Sequence, residues 1–293
     1  MMRSFLFVPG DSARKFEKAS GGTADALILD LEDSVALPAK PAARAQVLEM
    51  LRAPRRQKLF VRVNALDTGL TAADVAAVMP GRPDGIVLPK CAGPDHVLQL
   101  GHYLDICEAL EGEGAAGRTS ILAIVTETAD SVLALAGARY RGVSPRLWGM
   151  AWGAEDLAAS VGATSNETEG RFSEPFVLAR NLCLMAAAAA GVAAVDTVTT
   201  DIGNLAKVDG EARAARRDGF AAKMVIHPSH VDVVNAAFTP SADEVAWAQR
   251  IRQAFANEPN AGVVNLDGKM VDKPHLRSAE RILAQAGAGT GSA

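Results

Sequence analysis

Eight short apolar runs recur along the chain, at residues 4–8, 26–31, 58–63, 85–89, 120–125, 147–152, 194–199 and 222–226. Their hydrophobicity is continuous rather than alternating, as expected for strands buried on both faces. Between them lie stretches of helical period, at 12–19, 40–51, 70–78, 94–111, 129–139, 174–190 and 204–218. Strands alternating with helices predict parallel βαβ units, and eight such units make a (β/α)8 barrel of the TIM type. An open doubly wound sheet is the competing arrangement, but the turn after the first strand lacks the G-x-G-x-x-G pattern that such sheets use. Past the eighth run the rhythm breaks. A helix over 241–257, a loop "EPNAGVVNLDGKMVDKPHL", a helix near 276–286 and a small-residue tail "GAGTGSA" follow. The expectation is a catalytic barrel over 1–240, then a helical extension over 241–293 that serves as lid or oligomerisation arm and ends in a disordered tail.

Polar residues cluster where the runs end. The second run closes on Asp30, Glu32 and Asp33, the third on Arg62 and Asn64, the fourth on Lys90, and the fifth on Glu127. The sixth runs into Glu155 and Asp156, the seventh into Asp201, and the eighth ends at His227. In a parallel barrel these ends meet at one mouth, where such enzymes keep their chemistry. Burying them unpaired would be costly, so they imply a shared polar centre. The set is rich in carboxylates and has no Cys/His pattern of zinc spacing, which suits a hard cation such as Mg2+ or Mn2+. Glu127 and Asp156, from neighbouring strands, are the first choice of ligands. Arg62 offers a fixed donor fork for a carboxylate or enolate oxygen, and Glu32 and Asp33 form an outer shell around metal water and Arg62. Asp30 reads as structural.

Each of these residues also has a plainer reading. Glu127 suits the N-terminus of a helix near Ala129, Glu155 and Asp156 suit the cap of a helix near Leu157, and Arg62 suits an ion pair with Glu32 or Asp33. His227, followed by Pro228, reads as a turn histidine and is left out of the catalytic set.

Bulk properties narrow the classes. The 293 residues are 49% apolar and 22% charged, with a formal net charge of -4. That balance gives no footprint for nucleic acid, and no run of five like charges suggests a tail. No apolar run is long enough to span a membrane, since "LCLMAAAAAGVAAV" is broken by Gly191. The three cysteines share no metal or redox spacing, which is the pattern of reduced thiols in a cytoplasm.

Eight stretches together resemble the citrate lyase β-subunit-like (CitE-like) family of the HpcH/HpaI aldolase superfamily. They are "RSFLFVPGD", "LDLEDSV", "KPAAR", "VRVNALDTG", "GIVLPK", "GAEDLAASVGA", "GFAAKMVIHPSHV" and "GKMVDKPHLRSAERIL", in that order along nearly the whole chain. The resemblance implies a cytoplasmic Mg2+-dependent carbon–carbon lyase, homotrimeric or hexameric. Its substrate class would be a 3-hydroxyacyl-CoA thioester such as citramalyl-, malyl- or citryl-CoA, with CoA entering as part of the substrate. By position it puts the metal carboxylates on Glu127 and Asp156 and the substrate-binding arginine on Arg62. Gly153, Ala154 and Glu155 would contact substrate, and Asp272 would serve as acid/base from a neighbouring subunit. Arg14 and Lys15, or Lys40 and Arg44, are the expected partners of the CoA phosphates. The alternatives are a citrate lyase β subunit working with an acyl carrier protein, and a barrel that binds thioesters without turning them over.

Overall fold

A computed structural model describes residues 2–112, 114–137 and 140–289. Eight parallel strands close into a barrel in it. They are β1 (Ser4–Pro9), β2 (Ala26–Asp30), β3 (Lys58–Arg62), β4 (Gly85–Leu88), β5 (Ser120–Ile124), β6 (Leu147–Ala151), β7 (Ala193–Asp196) and β8 (Ala222–Val225). Each strand pairs with its neighbour in sequence, and β8 returns to β1 with Lys223 opposite Ser4. Helices follow the strands, among them Ala13–Ser20, Lys40–Arg52, Thr71–Val78, Pro94–Glu111, Glu174–Ala190 and Leu205–Asp218. These agree with the periodicity to within a residue or two. Residues 138 and 139 of the expected helix over 129–139 lie outside the described residues.

The barrel is filled, not hollow. Phe5, Ala26, Ile28, Phe60, Val87, Leu122, Ile124, Val195 and Met224 meet in its interior. Phe5 and Phe60 pack edge to face at 5.3 Å, with the Trp148 ring 5.4 Å from Phe5. Burying a side chain of this size contributes about 1.5–3 kcal/mol. Because side chains alternate along a strand, the inward row Ala26–Ile28 continues to Asp30, and Phe60 continues to Arg62. The β2–β3 register sets Ile28 opposite Phe60 and Asp30 opposite Arg62. The interior therefore turns from apolar to ionic at the C-terminal ends of the strands.

Three elements escape the periodicity. The helix Ala154–Val161 begins three residues after the end of β6, earlier than the start expected near Leu157. The helix Val231–Phe238 follows β8, and a two-strand hairpin joins Glu167–Thr168 to Arg171–Phe172.

The chain separates into two compact units, residues 2–234 and 235–293. In the second, Ser241 and Glu244 form a reciprocal capping box at the start of the helix Ala242–Asn257. The stretch expected as a loop instead holds an antiparallel hairpin, Val263–Leu266 with Lys269–Asp272. Its turn places Asp267 and Gly268 at φ 54° and 79°, the Asp-Gly conformation favoured in two-residue hairpins. The last helix runs from Lys273 to Gly289, so the expected tail is helical at 287–289, and residues 290–293 lie outside the described residues. Ile251, Phe255, Val264, Val271 and Ala279 form this unit's own core. Among the described residues no helix is long and apolar enough to cross a membrane.

Candidate active site

The residues that end β2 to β6 converge at the barrel mouth. Arg62 Nε and Nη2 donate to the two carboxylate oxygens of Asp30 at 2.7 and 2.8 Å. This fork-to-fork geometry gives the strongest kind of ion pair. Burial opposes ionisation of Asp30, but Arg62 outweighs it and holds the carboxyl below its usual range. Asp30 is thus structural, as expected, and it also commits two donors of the arginine. The third nitrogen, Nη1, lies 2.9 Å from Glu32 Oε2 and 3.6 Å from Asp33 Oδ2. The Arg62 guanidinium rests 4.8 Å over the Phe7 ring, and the plain ion-pair reading of Arg62 with Glu32 and Asp33 holds.

Glu32 and Asp33 differ in setting. The Glu32 side chain is 7% exposed and that of Asp33 56%. Burial raises the Glu32 carboxyl against the pull of Arg62 and Lys90. Lys90, a strand-end charge with no role of its own in the sequence pattern, links these acids. Its ammonium donates to Glu32 Oε1 at 2.6 Å and lies 3.3 Å from Asp156 Oδ1 and 3.9 Å from Asp33 Oδ1. Its backbone N–H donates to Glu127 Oε2 at 2.5 Å. The backbone adopts φ 49° to do so, a left-handed conformation uncommon for a residue with a side chain.

Glu127 follows β5 and is 3% exposed. Burial first, and then the negative charges of Glu32 and Asp156, push its carboxyl up to about 8. Gly153 lies against it, and a Cβ there would meet Glu127 Cγ at 2.8 Å. Gly153 N–H donates to Thr126 Oγ1. Glu155 and Asp156 sit in the first turn of the helix Ala154–Val161, where the helix dipole favours negative charge. Glu155 Oε1 accepts from Asn166 at 2.7 Å.

A cavity of about 720 Å³ opens over these groups. Asp30, Asp33, Arg62, Glu127 and residues 153–156 line it, with Phe7, Ile124, Val198 and Met224 as its apolar wall. Lys15, Lys18 and His227 also face it. His227 accepts from Ser229 N–H through Nδ1, in keeping with a turn histidine. A second cavity of about 420 Å³ is lined by Glu32, Asp33, Lys40, Asn64, Asp67 and Lys90 among others.

The expected phosphate partners divide. Lys15 lines the larger cavity together with Lys18, one helical turn on, whereas Arg14 is exposed and outside the lining. Lys40 is buried and donates to the Leu31 and Glu32 carbonyls at 2.8 and 2.9 Å. Arg44 pairs with the buried Asp74 at 2.7 Å. Lys40 thereby holds the loop after β2, and Arg44 ties its helix to the helix Thr71–Val78. Asp201 does not line the cavity either. Asp272 belongs to the second unit, where it accepts from the His275 ring nitrogen at 2.5 Å and is held below the usual carboxyl range by that contact.

Five carboxylates (Asp30, Glu32, Asp33, Glu127 and Asp156) thus surround two cations (Arg62 and Lys90). A divalent cation would relieve that excess, and Glu127 with Asp156 supplies the hard oxygens it requires. Among the described residues no three His, Cys, Asp or Glu side chains close a ready cage.

A closed parallel barrel with an acid-lined, arginine-bearing mouth defines an enzyme of the TIM-barrel class. Residues 3–228 match the family model for HpcH/HpaI aldolase/citrate lyase, and residues 183–288 match that for a C–C bond lyase of the TIM-barrel fold. The chain belongs to the HpcH/HpaI aldolase/citrate lyase family of carbon–carbon lyases. It is 36% identical to a citrate lyase subunit beta-like protein of Mycobacterium tuberculosis, over 98% of this chain and 96% of that one. It is 37% identical to citrate lyase subunit beta of Escherichia coli K12 (97% and 93%) and 35% identical to a (3S)-malyl-CoA thioesterase of Cereibacter sphaeroides (97% and 94%). Among solved structures, CitE of M. tuberculosis in complex with magnesium, acetoacetate and coenzyme A superposes with a TM-score of 0.78 at 33% identity, covering 98% of each chain. The M. tuberculosis citrate lyase beta subunit complexed with oxaloacetate and magnesium gives 0.69 at 34%, covering 82% of this chain and 97% of that one.

Proposed function

We propose that this chain is a Mg2+-dependent lyase that cleaves a 3-hydroxyacyl-CoA thioester into a 2-keto acid and an acyl-CoA. The observation that carries this reading is the grouping of Glu127, Asp156 and Arg62 over one cavity, with the Glu127 carboxyl pushed up to about 8 by burial first and then by the charges of Glu32 and Asp156. The solved relatives named above hold magnesium with a keto acid or with coenzyme A, which supports the same chemistry here.

Glu127 and Asp156 would hold the ion, which when bound supplies Lewis acidity and a template for the keto-acid oxygens. Glu32 and Asp33 orient water and Arg62 from behind. Arg62, which lines the cavity, would offset the charge that develops on the departing keto acid. In the cleavage the 3-hydroxyl loses its proton and its oxygen becomes the keto group. The C2–C3 bond breaks, and its electron pair becomes a thioester enolate that takes up a proton at C2. The family resemblance gives that last proton to Asp272, acting from a neighbouring subunit of a homo-oligomer. Asp272→Asn should then lower kcat at least a hundredfold while leaving Mg2+ binding by calorimetry unchanged, a typical loss for a general acid. Full activity in that variant would remove Asp272 from the mechanism.

Lys15 and Lys18 are proposed to meet the CoA phosphates. Reversing both charges should raise KM for CoA thioesters roughly tenfold, or about 1.4 kcal/mol, with little change in kcat. A thioester lacking phosphates should show no such rise; an equal rise for both would place the phosphates elsewhere.

The test of the whole reading is purified protein with Mg2+ and citramalyl-, malyl- and citryl-CoA, monitored for pyruvate, glyoxylate, oxaloacetate and free CoA. Keto-acid release that stops on chelation is expected. Release of free CoA alone would make the protein a thioesterase, and inertness toward all three would favour a carrier-bound substrate.

A further inference from the structure

Lys90 touches more of the acid cluster than any ligand candidate does, and no step of the cleavage uses it. Its backbone N–H holds Glu127, and its ammonium bridges Glu32 and Asp156 at 2.6 and 3.3 Å. Two features distinguish this from an ordinary surface ion pair. First, a side-chain-bearing residue is kept at φ 49°, which costs free energy and aims the N–H at Glu127. Second, the ammonium has a place of its own. Besides Asp156 it has Glu32 at 2.6 Å and Asp33 at 3.9 Å, and it lines the second cavity of about 420 Å³.

We propose that Lys90 is a positioning residue that sets the divalent-cation affinity of the site. Its backbone fixes one metal carboxylate, and its ammonium competes electrostatically for the other. A fixed positive charge in contact with a ligand carboxylate opposes entry of a second cation, and the opposition is large where water is partly excluded. The backbone contact acts in the opposite sense, since a carboxylate already aimed loses less freedom when it binds. The net result is a site ordered without metal whose affinity is held down, so that substrate oxygens must complete the binding. This inference rests on the proposed role of Glu127 and Asp156 toward Mg2+.

Three substitutions separate the two roles. Lys90→Met removes the ammonium but keeps the stem. Lys90→Gly also removes the charge, adopts positive φ freely and preserves the N–H. Lys90→Arg restores a cation. Mg2+ affinity without substrate, by isothermal titration calorimetry, should tighten about tenfold or more in the Gly variant, and by less in the Met variant, where the strained backbone is free to move off Glu127. The Arg variant should stay near wild type. The stability of the metal-free protein should fall in the Met and Gly variants and recover with Mg2+ more than wild type does. Unchanged or weaker Mg2+ binding by the Gly variant would overturn the inference. A wild-type protein that binds no Mg2+ even with a 2-keto acid present would instead overturn the proposed function, so the two failures are distinguishable.

Discussion

Glu127→Gln should abolish turnover and yet make the metal-free protein more resistant to heat at alkaline pH. The Glu127 carboxyl stands at about 8 in the fold against an ordinary 4.5, because burial and the charges of Glu32 and Asp156 oppose its ionisation. A raised carboxyl binds its proton more tightly in the folded chain than in the unfolded one. Its contribution to stability is therefore complete below about 4.5 and is lost as pH rises through about 8. The Tm of the metal-free wild type should fall from about pH 5 to about pH 9, by an amount worth a few kcal/mol. Glutamine keeps the acceptor for Lys90 N–H and never ionises, so this slope should flatten. Mg2+ competes with the same proton, so the Tm rise it gives the wild type should grow over the same interval. In Glu127→Gln and in Asp156→Asn that rise should vanish, with kcat/KM lower by roughly a thousandfold or more. Thermal scans at several pH values, with Mg2+ and with chelator, measure all of this. A pH-independent metal-free Tm, or a Mg2+ response that survives both substitutions, would move the cation elsewhere.

The barrel was legible because buried parallel strands carry continuous apolar runs, a local property that needs no knowledge of neighbours. The helix boundaries were legible for the same reason, down to Pro94–Glu111 and Glu174–Ala190. What escaped depends on long-range partners. Lys40 and Arg44 lie one helical turn apart and look like a phosphate clamp, but their partners are the carbonyls of Leu31 and Glu32 and the carboxylate of Asp74. Lys223 reads as a strand residue of no evident use, yet it is buried on Asp196 Oδ2 at 2.9 Å, and Trp152 donates to the same carboxylate. Lys90 was visible as a strand-end charge, and its positive φ has no signature in a lysine codeword. One element does carry a local signal: "LDGK" at 266–269 is an Asp-Gly turn between short apolar segments, which marks a hairpin.

Loss of Arg62 should damage both stability and chemistry, and the two can be separated. Asp30 is almost fully buried and held by the Arg62 fork. Removing one member of a buried pair leaves an uncompensated charge, at a cost of about 3–5 kcal/mol. Arg62→Met should lower stability by that amount. Asp30→Asn in the same chain should recover much of it, because the orphaned charge is then gone. Activity should not recover with it. In the double variant the barrel is intact, but the guanidinium that lines the cavity and its pairing with Glu32 are lost. Its kcat/KM should stay lower than wild type by roughly a hundredfold to a thousandfold, the range for losing one charge-stabilising donor group. Arg62→Lys sharpens the distinction, since lysine retains the charge without the planar fork. It should keep more stability than Met does and still fall short in turnover. Denaturant unfolding alongside steady-state kinetics on these variants decides the matter. If Asp30→Asn restores activity together with stability, Arg62 serves the fold alone, and the donor facing the keto acid has to come from the first turn of the helix Ala154–Val161.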